Sequence, residues 1–335
     1  MDLRHLILAV YSITALVEGV MIGDKMPRPS SSDACASLVA LLPDDVHFPG
    51  SSEFAKDVLH YVESSVQNST CSVEPQSVDD VGNVLKIIGE IGGHTSNANF
   101  SSTTGVQISM TAFDDVIYDS ATSTVKIGTG QTWDTVYAKL EPLEINVVGG
   151  RIPGVGVGGL ILGGGFSWIT DQYGLSVDTV VTYDLVLPSG IFIQVNSTSD
   201  PDLFFGLKGG FNNFGIVTSG GGISFDLNAT NLVNAATSNF SFNNIDSKAQ
   251  MIMAYNISGV GEDALTAYLF YDAPTQPDVF DEFLNIPSLA RDLKVRNFTE
   301  FLLTTFGPGT NLPFREKEHA VPILRYTTSI LEAHP

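Results

Sequence analysis

The segment Gly149–Trp168, GGRIPGVGVGGLILGGGFSW, constrains this chain more than any other. Nine of its twenty residues are glycine and most of the rest are apolar. It is too hydrophobic for a flexible linker. It is also too rich in glycine for an ordinary helix, where each Gly costs about 1 kcal/mol relative to Ala. Leu160 and Ile161 are therefore expected to continue into more glycines and not into a helix. Two uses stay open: a run of tight turns between buried strands, or close approach of bare backbone to a flat or anionic ligand, with positive φ wherever the path bends. A second glycine pair, Gly92-Gly93, followed at once by His94, shifts the balance toward a ligand.

The rest of the chain is well supplied for a core, with 335 residues, 43% of them hydrophobic and 16% charged. One large or two medium domains are expected. The net charge of −21 leaves no basic patch to release counterions, which argues against nucleic acid or an anionic membrane as partner. Arg4 precedes the apolar run Leu6–Val17, which is too short to span a bilayer, and Val17 and Gly19 offer small residues for cleavage. This reads as a signal peptide over residues 1–19, the alternative being a buried N-terminal helix. Export agrees with seven Asn-x-Ser/Thr sequons, at Asn68, Asn99, Asn196, Asn228, Asn239, Asn256 and Asn297. It also agrees with an even cysteine count: Cys35 and Cys71 either form a bridge or remain two buried thiols.

Residues 20–34 read as a flexible Pro/Ser-rich lead-in. Helices are expected over Cys35–Leu42, Ser52–Val66 and Val78–Ile88, the last with Ser77 as N-cap and early aspartates favourable to its dipole. Short β-rich runs follow at Gly105–Ser109, Val116–Tyr118 and Thr124–Gly128, then a helix over Thr132–Leu140. Val177–Leu187 and Ile191–Val195 flank Pro188-Ser189-Gly190 as a hairpin. Leu203–Leu207 reads as a short helix and Phe214–Thr218 as a strand. Beyond about Leu227 longer amphipathic elements begin, such as Ala264–Tyr271 and Val279–Leu284, which sets a domain boundary at 226/227.

Several familiar chemistries fail on context. Gly154 to Gly159 is not followed by a βαβ unit with an acidic residue about twenty positions on, as a Rossmann site requires. Gly165-Phe166-Ser167-Trp168-Ile169 lacks the final glycine of a nucleophile elbow. The six histidines are scattered and show no metal-ligand spacing. Gly92-Gly93-His94-Thr95 is sharper, because a ring nitrogen can bond covalently to a flavin and two bare residues let amides reach a pyrophosphate.

Five segments taken together resemble the FAD-binding domain of p-cresol-methylhydroxylase-type flavoproteins, and within them the secreted berberine-bridge-like oxidases. They are Gly92–Met110, Ile127–Leu140, Gly149–Trp168, Asp171–Val180 and Asp200–Thr218, in family order. The resemblance implies an α+β fold: a two-subdomain FAD-binding domain (35–226) cradling FAD between small sheets, then a partial α+β substrate domain with an antiparallel sheet (227–335). It implies that His94 carries the flavin 8α-methyl and that Gly92, Gly93 and Thr95 form a phosphate loop. It also places toward FAD the backbone of Thr129, Gly130, Gly150, Val155, Gly156, Gly158, Gly159, Gly163 and Gly164. Tyr173, Gly174, Asp178, Val180, Ile216 and Val217 match positions toward the diphosphate and adenine.

Three departures accompany the match. Ile152 stands before Pro153 where bicovalent members carry a cysteine, so a single link through His94 is implied. Glu90 occupies a position that is basic in the family, and the short span from Ile88 to Gly92 implies a lost strand and turn. The family continues past residue 335 into the region holding its catalytic base, so no base is assigned. The expected function is an FAD-dependent oxidase taking a hydride from a hydroxylated small molecule such as a sugar or secondary metabolite, with O₂ as acceptor. The alternative is a truncated, catalytically inactive relative with a structural or partner-dependent role.

Overall fold

The computed structural model describes residues 30–59, 66–88, 102–187, 189–208, 221–225, 230–256, 264–306 and 326–331. Helix α1 (Ser31–Leu41) starts four residues before the expected Cys35, because Ser30 and Asp33 form a reciprocal capping box. Strands β1 (Val46–His47), β2 (Cys71–Val73) and β3 (Val106–Ile108) form a sheet in that order, antiparallel and then parallel. Helix α2 (Ser52–Asp57) lies between β1 and β2, and α3 (Val78–Ile88) between β2 and β3. Ser77 caps α3 as expected, its Oγ accepting from the Asp80 amide at 3.1 Å. Leu38, Val73 and Val84, all fully buried, centre the core between α1, α3 and the sheet. A disulfide joins Cys35 of α1 to Cys71 of β2.

Helix α2 stops at Asp57, short of the expected Val66. The buried Asp57 carboxylate accepts from Ser72 Oγ at 2.6 Å and pairs with His47 Nδ1 at 2.9 Å. That anchors the helix end to β1 and β2. Leu59, expected on the buried face, is half exposed.

Two hairpins follow: β4 (Val116–Asp119) with β5 (Thr124–Ile127), and β6 (Tyr183–Val186) with β7 (Phe192–Val195). Helix α4 (Trp133–Leu140) comes after the first, burying Trp133, Val136, Tyr137 and Leu140. The second hairpin is shorter than expected. Ser176–Thr179 is a 3₁₀ turn, not strand, because Asp178 Oδ2 accepts from the Leu175 amide at 2.9 Å and winds the chain. Helix α3 seats on this hairpin at two glycines: a Cβ on Gly82 would stand 2.5 Å from the Gly190 carbonyl oxygen.

The glycine stretch itself contains a helix, α5 (Val157–Leu162), contrary to the expectation from glycine content. Burial decides the matter. Val157 and Leu160 lose nearly all their exposure, and each buried aliphatic side chain is worth about 1.5–3 kcal/mol, more than two helical glycines cost. Helix α6 (Thr170–Tyr173) follows, then α7 (Pro201–Leu207) capped by Asp200.

Strands β8 (Gly221–Phe225), β9 (Ala249–Asn256), β10 (Ala264–Tyr271) and β11 (Ala290–Arg291) form an antiparallel sheet in the order β11-β8-β10-β9. It thus takes one strand from before position 226. Helices α8 (Thr230–Asn243) and α9 (Asp281–Leu284) cover it over Val233, Phe280 and Phe283. Helix α10 (Phe298–Phe306) packs against α4 and is followed by α11 (Thr328–Leu331). Trp168, fully buried, lies tilted against Phe270 of β10 and edge-on to Phe301 of α10. The glycine region and the following sheet therefore share one core. Among the described residues no helix is long and apolar enough to cross a membrane.

Candidate functional site

The structure brings most of the expected backbone segments together around the start of α5. The turn after β5, with Thr129 and Gly130, is clasped to the α5 entrance. Val157 N donates to Gln131 O at 2.9 Å, Trp133 N donates to Val155 O at 3.0 Å, and Thr132 bridges Gly156. At the other end, Gly163 caps α5 and Gly164 turns the chain at φ +93°. The Val177 amide then donates to Gly164 O at 2.9 Å and Ser176 N to Gly165 O at 2.8 Å. This draws the Tyr173–Val180 segment alongside. Gly174 sits at φ +85° over the Asp178 carboxylate, where a Cβ would stand 3.0 Å from Oδ2.

The glycines divide into two physical kinds. Gly130 and Gly150 make room for protein. A Cβ at Gly150 would lie 2.5 Å from Trp133 Cδ1, and the Gly150 carbonyl accepts from Tyr137 Oη at 2.7 Å. A Cβ at Gly130 would strike the Met110 carbonyl. Val155 is core. Gly156 differs: a Cβ there meets nothing within 4 Å. It stands at the N-cap of α5 with no side-chain cap, so the amides of Gly158 and Gly159 in the first turn have no intrahelical acceptor. Gly158 lies against Thr129, and Gly164 faces only Leu175 at 3.7 Å. Gly92, Gly93, His94, Thr95, Ile216 and Val217 lie outside the described residues, as do Glu90 and the span after Ile88.

Buried polar atoms without partners gather beside this cradle: Arg151 Nε, Ser167 Oγ, Trp168 Nε1 and Ser176 Oγ. No motif in the sequence singles out Arg151, yet it is the cation beside these segments. Its guanidinium lies 4.4 Å from the Phe166 ring centre and 5.1 Å from that of Trp168. Burial pushes it down to about 9, against a smaller opposing pull from Asp171. The Asp171 carboxyl is itself raised by burial and lowered less by Arg151. Gln250 of β9, with its amide oriented to satisfy both contacts, donates to Ser167 O at 3.1 Å and accepts from Asp171 N at 3.2 Å. A surface cavity of about 190 Å³ lies at the far end of α4, lined by Tyr137, Glu141, Glu144 and Phe298 among others, and contains none of the expected site residues.

A bare N-cap with open space before it, a second backbone turn clasped to it and orphaned donors alongside suit a long anionic ligand with flat rings. Residues 69–196 match the family described as FAD binding domain. The chain contains an FAD-binding domain. Its relatives are FAD enzymes. An uncharacterized FAD-linked oxidoreductase of Arthroderma benhamiae is 33% identical over 285 residues, covering 77% of this chain and 57% of the relative. The FAD-dependent monooxygenase drtC of Aspergillus calidoustus is 32% identical over 311 residues, covering 84% and 59%. The chain thus spans somewhat more than half the length of these relatives. The crystal structure of a carbohydrate oxidase from Microdochium nivale superposes with a TM-score of 0.61 at 20% identity, over 82% of this chain and 64% of that one. That likeness is one of fold. The p-cresol-methylhydroxylase-type α+β architecture expected from the five segments is the one this FAD-binding domain has.

Proposed function

We propose that the chain is the FAD-holding part of a secreted oxidoreductase that takes a hydride from a hydroxylated small molecule, a sugar or secondary metabolite, with O₂ as final acceptor. The observation that carries this reading is the open side of Gly156 at the uncapped start of α5, inside the matched segment. Bound FAD would supply the hydride acceptor. The residues present fit that group. The Gly158 and Gly159 amides would hold an anionic oxygen of its diphosphate, and the Thr129–Gly130 and Gly164 turns would flank it. His94 would carry the covalent link. The carbohydrate oxidase likeness supports a hydroxylated substrate, and the apolar leader, sequons and disulfide support secretion.

Anaerobic mixing with sugars and with phenolic or alcoholic metabolites tests the reaction. The expected result is bleaching of the visible flavin band by one class, then its return on admitting air with formation of hydrogen peroxide. A flavin that no class bleaches, or that needs an external reductant before oxygen reacts, would contradict an oxidase.

A further inference from the structure

Between Lys139 and Lys208 the chain carries a single basic residue, Arg151. Phe166 and Trp168 lie within cation–π distance of its guanidinium. A cation–π contact spends none of the guanidinium's N–H donors. Those donors are unspent: no described residue accepts a hydrogen bond from Arg151, and Nε is sealed without a partner. Asp171 is the acid that feels its charge, but no ion pair joins the two among the described residues. Arg151 is of intermediate exposure, so its Nη edge can meet solvent or a ligand while Nε is sealed. A cation held this way, with no ion pair among the described residues, is a costly arrangement for packing alone. Its position is informative too. Trp168 packs against Phe270 and Phe301, and Gln250 grips Ser167 and Asp171, so Arg151 stands where the glycine loops meet the sheet β8–β11.

We propose that Arg151 is an oxyanion-binding residue at this junction, its Nη edge taking two coplanar oxygens of a carboxylate or phosphate group. The planar guanidinium fork matches that geometry bidentately. The proposed function bears only on where the oxyanion comes from: a carboxylate of the substrate, or the diphosphate of FAD.

The test uses the purified full chain, Arg151→Met and Arg151→Lys, with benzoate, its neutral isostere benzamide, and inorganic pyrophosphate as probes. Trp168 lies against the guanidinium and is one of only two tryptophans, so tryptophan fluorescence reports binding, while visible absorbance reports flavin content. Wild type is expected to bind benzoate or pyrophosphate saturably and benzamide at least about tenfold more weakly. Arg151→Met should weaken the oxyanion by roughly ten- to a hundredfold without altering benzamide, and Arg151→Lys should fall between. Loss of benzoate with flavin content unchanged assigns the site to a substrate carboxylate. Loss of flavin in Arg151→Met, with pyrophosphate binding wild type only where flavin is absent, assigns it to the cofactor. Absence of saturable oxyanion binding together with a flavin content indifferent to Arg151, or an oxyanion preference that survives in Arg151→Met, overturns the proposal. Should Arg151→Met fail to fold, protection of Arg151 from phenylglyoxal by benzoate or pyrophosphate in wild type, read by mass spectrometry, decides the question. A colourless protein with an Arg151-dependent oxyanion site would overturn the oxidoreductase reading alone, and a yellow one indifferent to Arg151 would overturn this proposal alone.

Discussion

Adding one methyl group at Gly150 or at Gly156 should have opposite consequences, although the two stand six positions apart in the same motif. At Gly150 the methyl meets the Trp133 indole at 2.5 Å, so Gly150→Ala is expected to cost about 1–3 kcal/mol and lower the thermal midpoint. At Gly156 it meets nothing, and φ is −67°, so Gly156→Ala should leave the midpoint unchanged while lowering flavin affinity. Equal stability losses in the two variants would contradict the division drawn here between packing and ligand glycines. The sequence placed both in the cofactor motif and could not separate them, because the distinction depends on where Trp133 arrives from α4. Arg151 gives a second expectation at this scale. Burial pushes its folded value down to about 9, well below the ordinary guanidinium range, so between the two the unfolded chain binds more protons. Its contribution to stability therefore rises with pH across that window. In Arg151→Met this rise should vanish, so the difference in midpoint between variant and wild type should change above pH 9 and stay constant below it.

Among the elements, α1 and β2 are joined by a bridge closing a sequence separation of 36 residues. Loop entropy puts its contribution near 4 kcal/mol, so Cys35→Ala with Cys71→Ala, or reduction, should lower the thermal midpoint measurably. An unchanged midpoint would mean that α1 is held by its packing on α3 alone. Elements whose signals are local were legible in advance: α3 from Ser77 and its early aspartates, and α4 as the short helix over Thr132–Leu140. Those decided by tertiary contact were not. Helix α5 forms against its glycine content because Val157 and Leu160 find a core. The β-rich letters of Val177–Thr182 give way to a 3₁₀ turn because Asp178 spends its carboxylate on a backbone amide. Helix α2 ends where the buried Asp57 meets His47 and Ser72, partners that no local pattern reveals.

At the scale of the whole molecule, Trp168 is the largest side chain by which the glycine region meets the later sheet, beside the packing of α10 on α4 and the contacts of Gln250. Trp168→Ala removes its contacts with Phe270 and Phe301 and should cost about 3–5 kcal/mol. It should also split a single cooperative transition into two, seen as non-coincident melting by far-ultraviolet circular dichroism and by Trp133 fluorescence. Coincident melting in the variant would show that the two halves are coupled elsewhere. The five sequence segments foretold the family because their glycines and their order survive in the letters. The junction was not foretold, since it is made of ordinary aromatic residues far apart in the chain. The central claim is that these stretches hold FAD. It is tested most directly by the visible spectrum of the purified chain before and after acid precipitation. The account predicts flavin bands on the native protein that stay with the pellet, held through His94. A folded, soluble and colourless protein would contradict it.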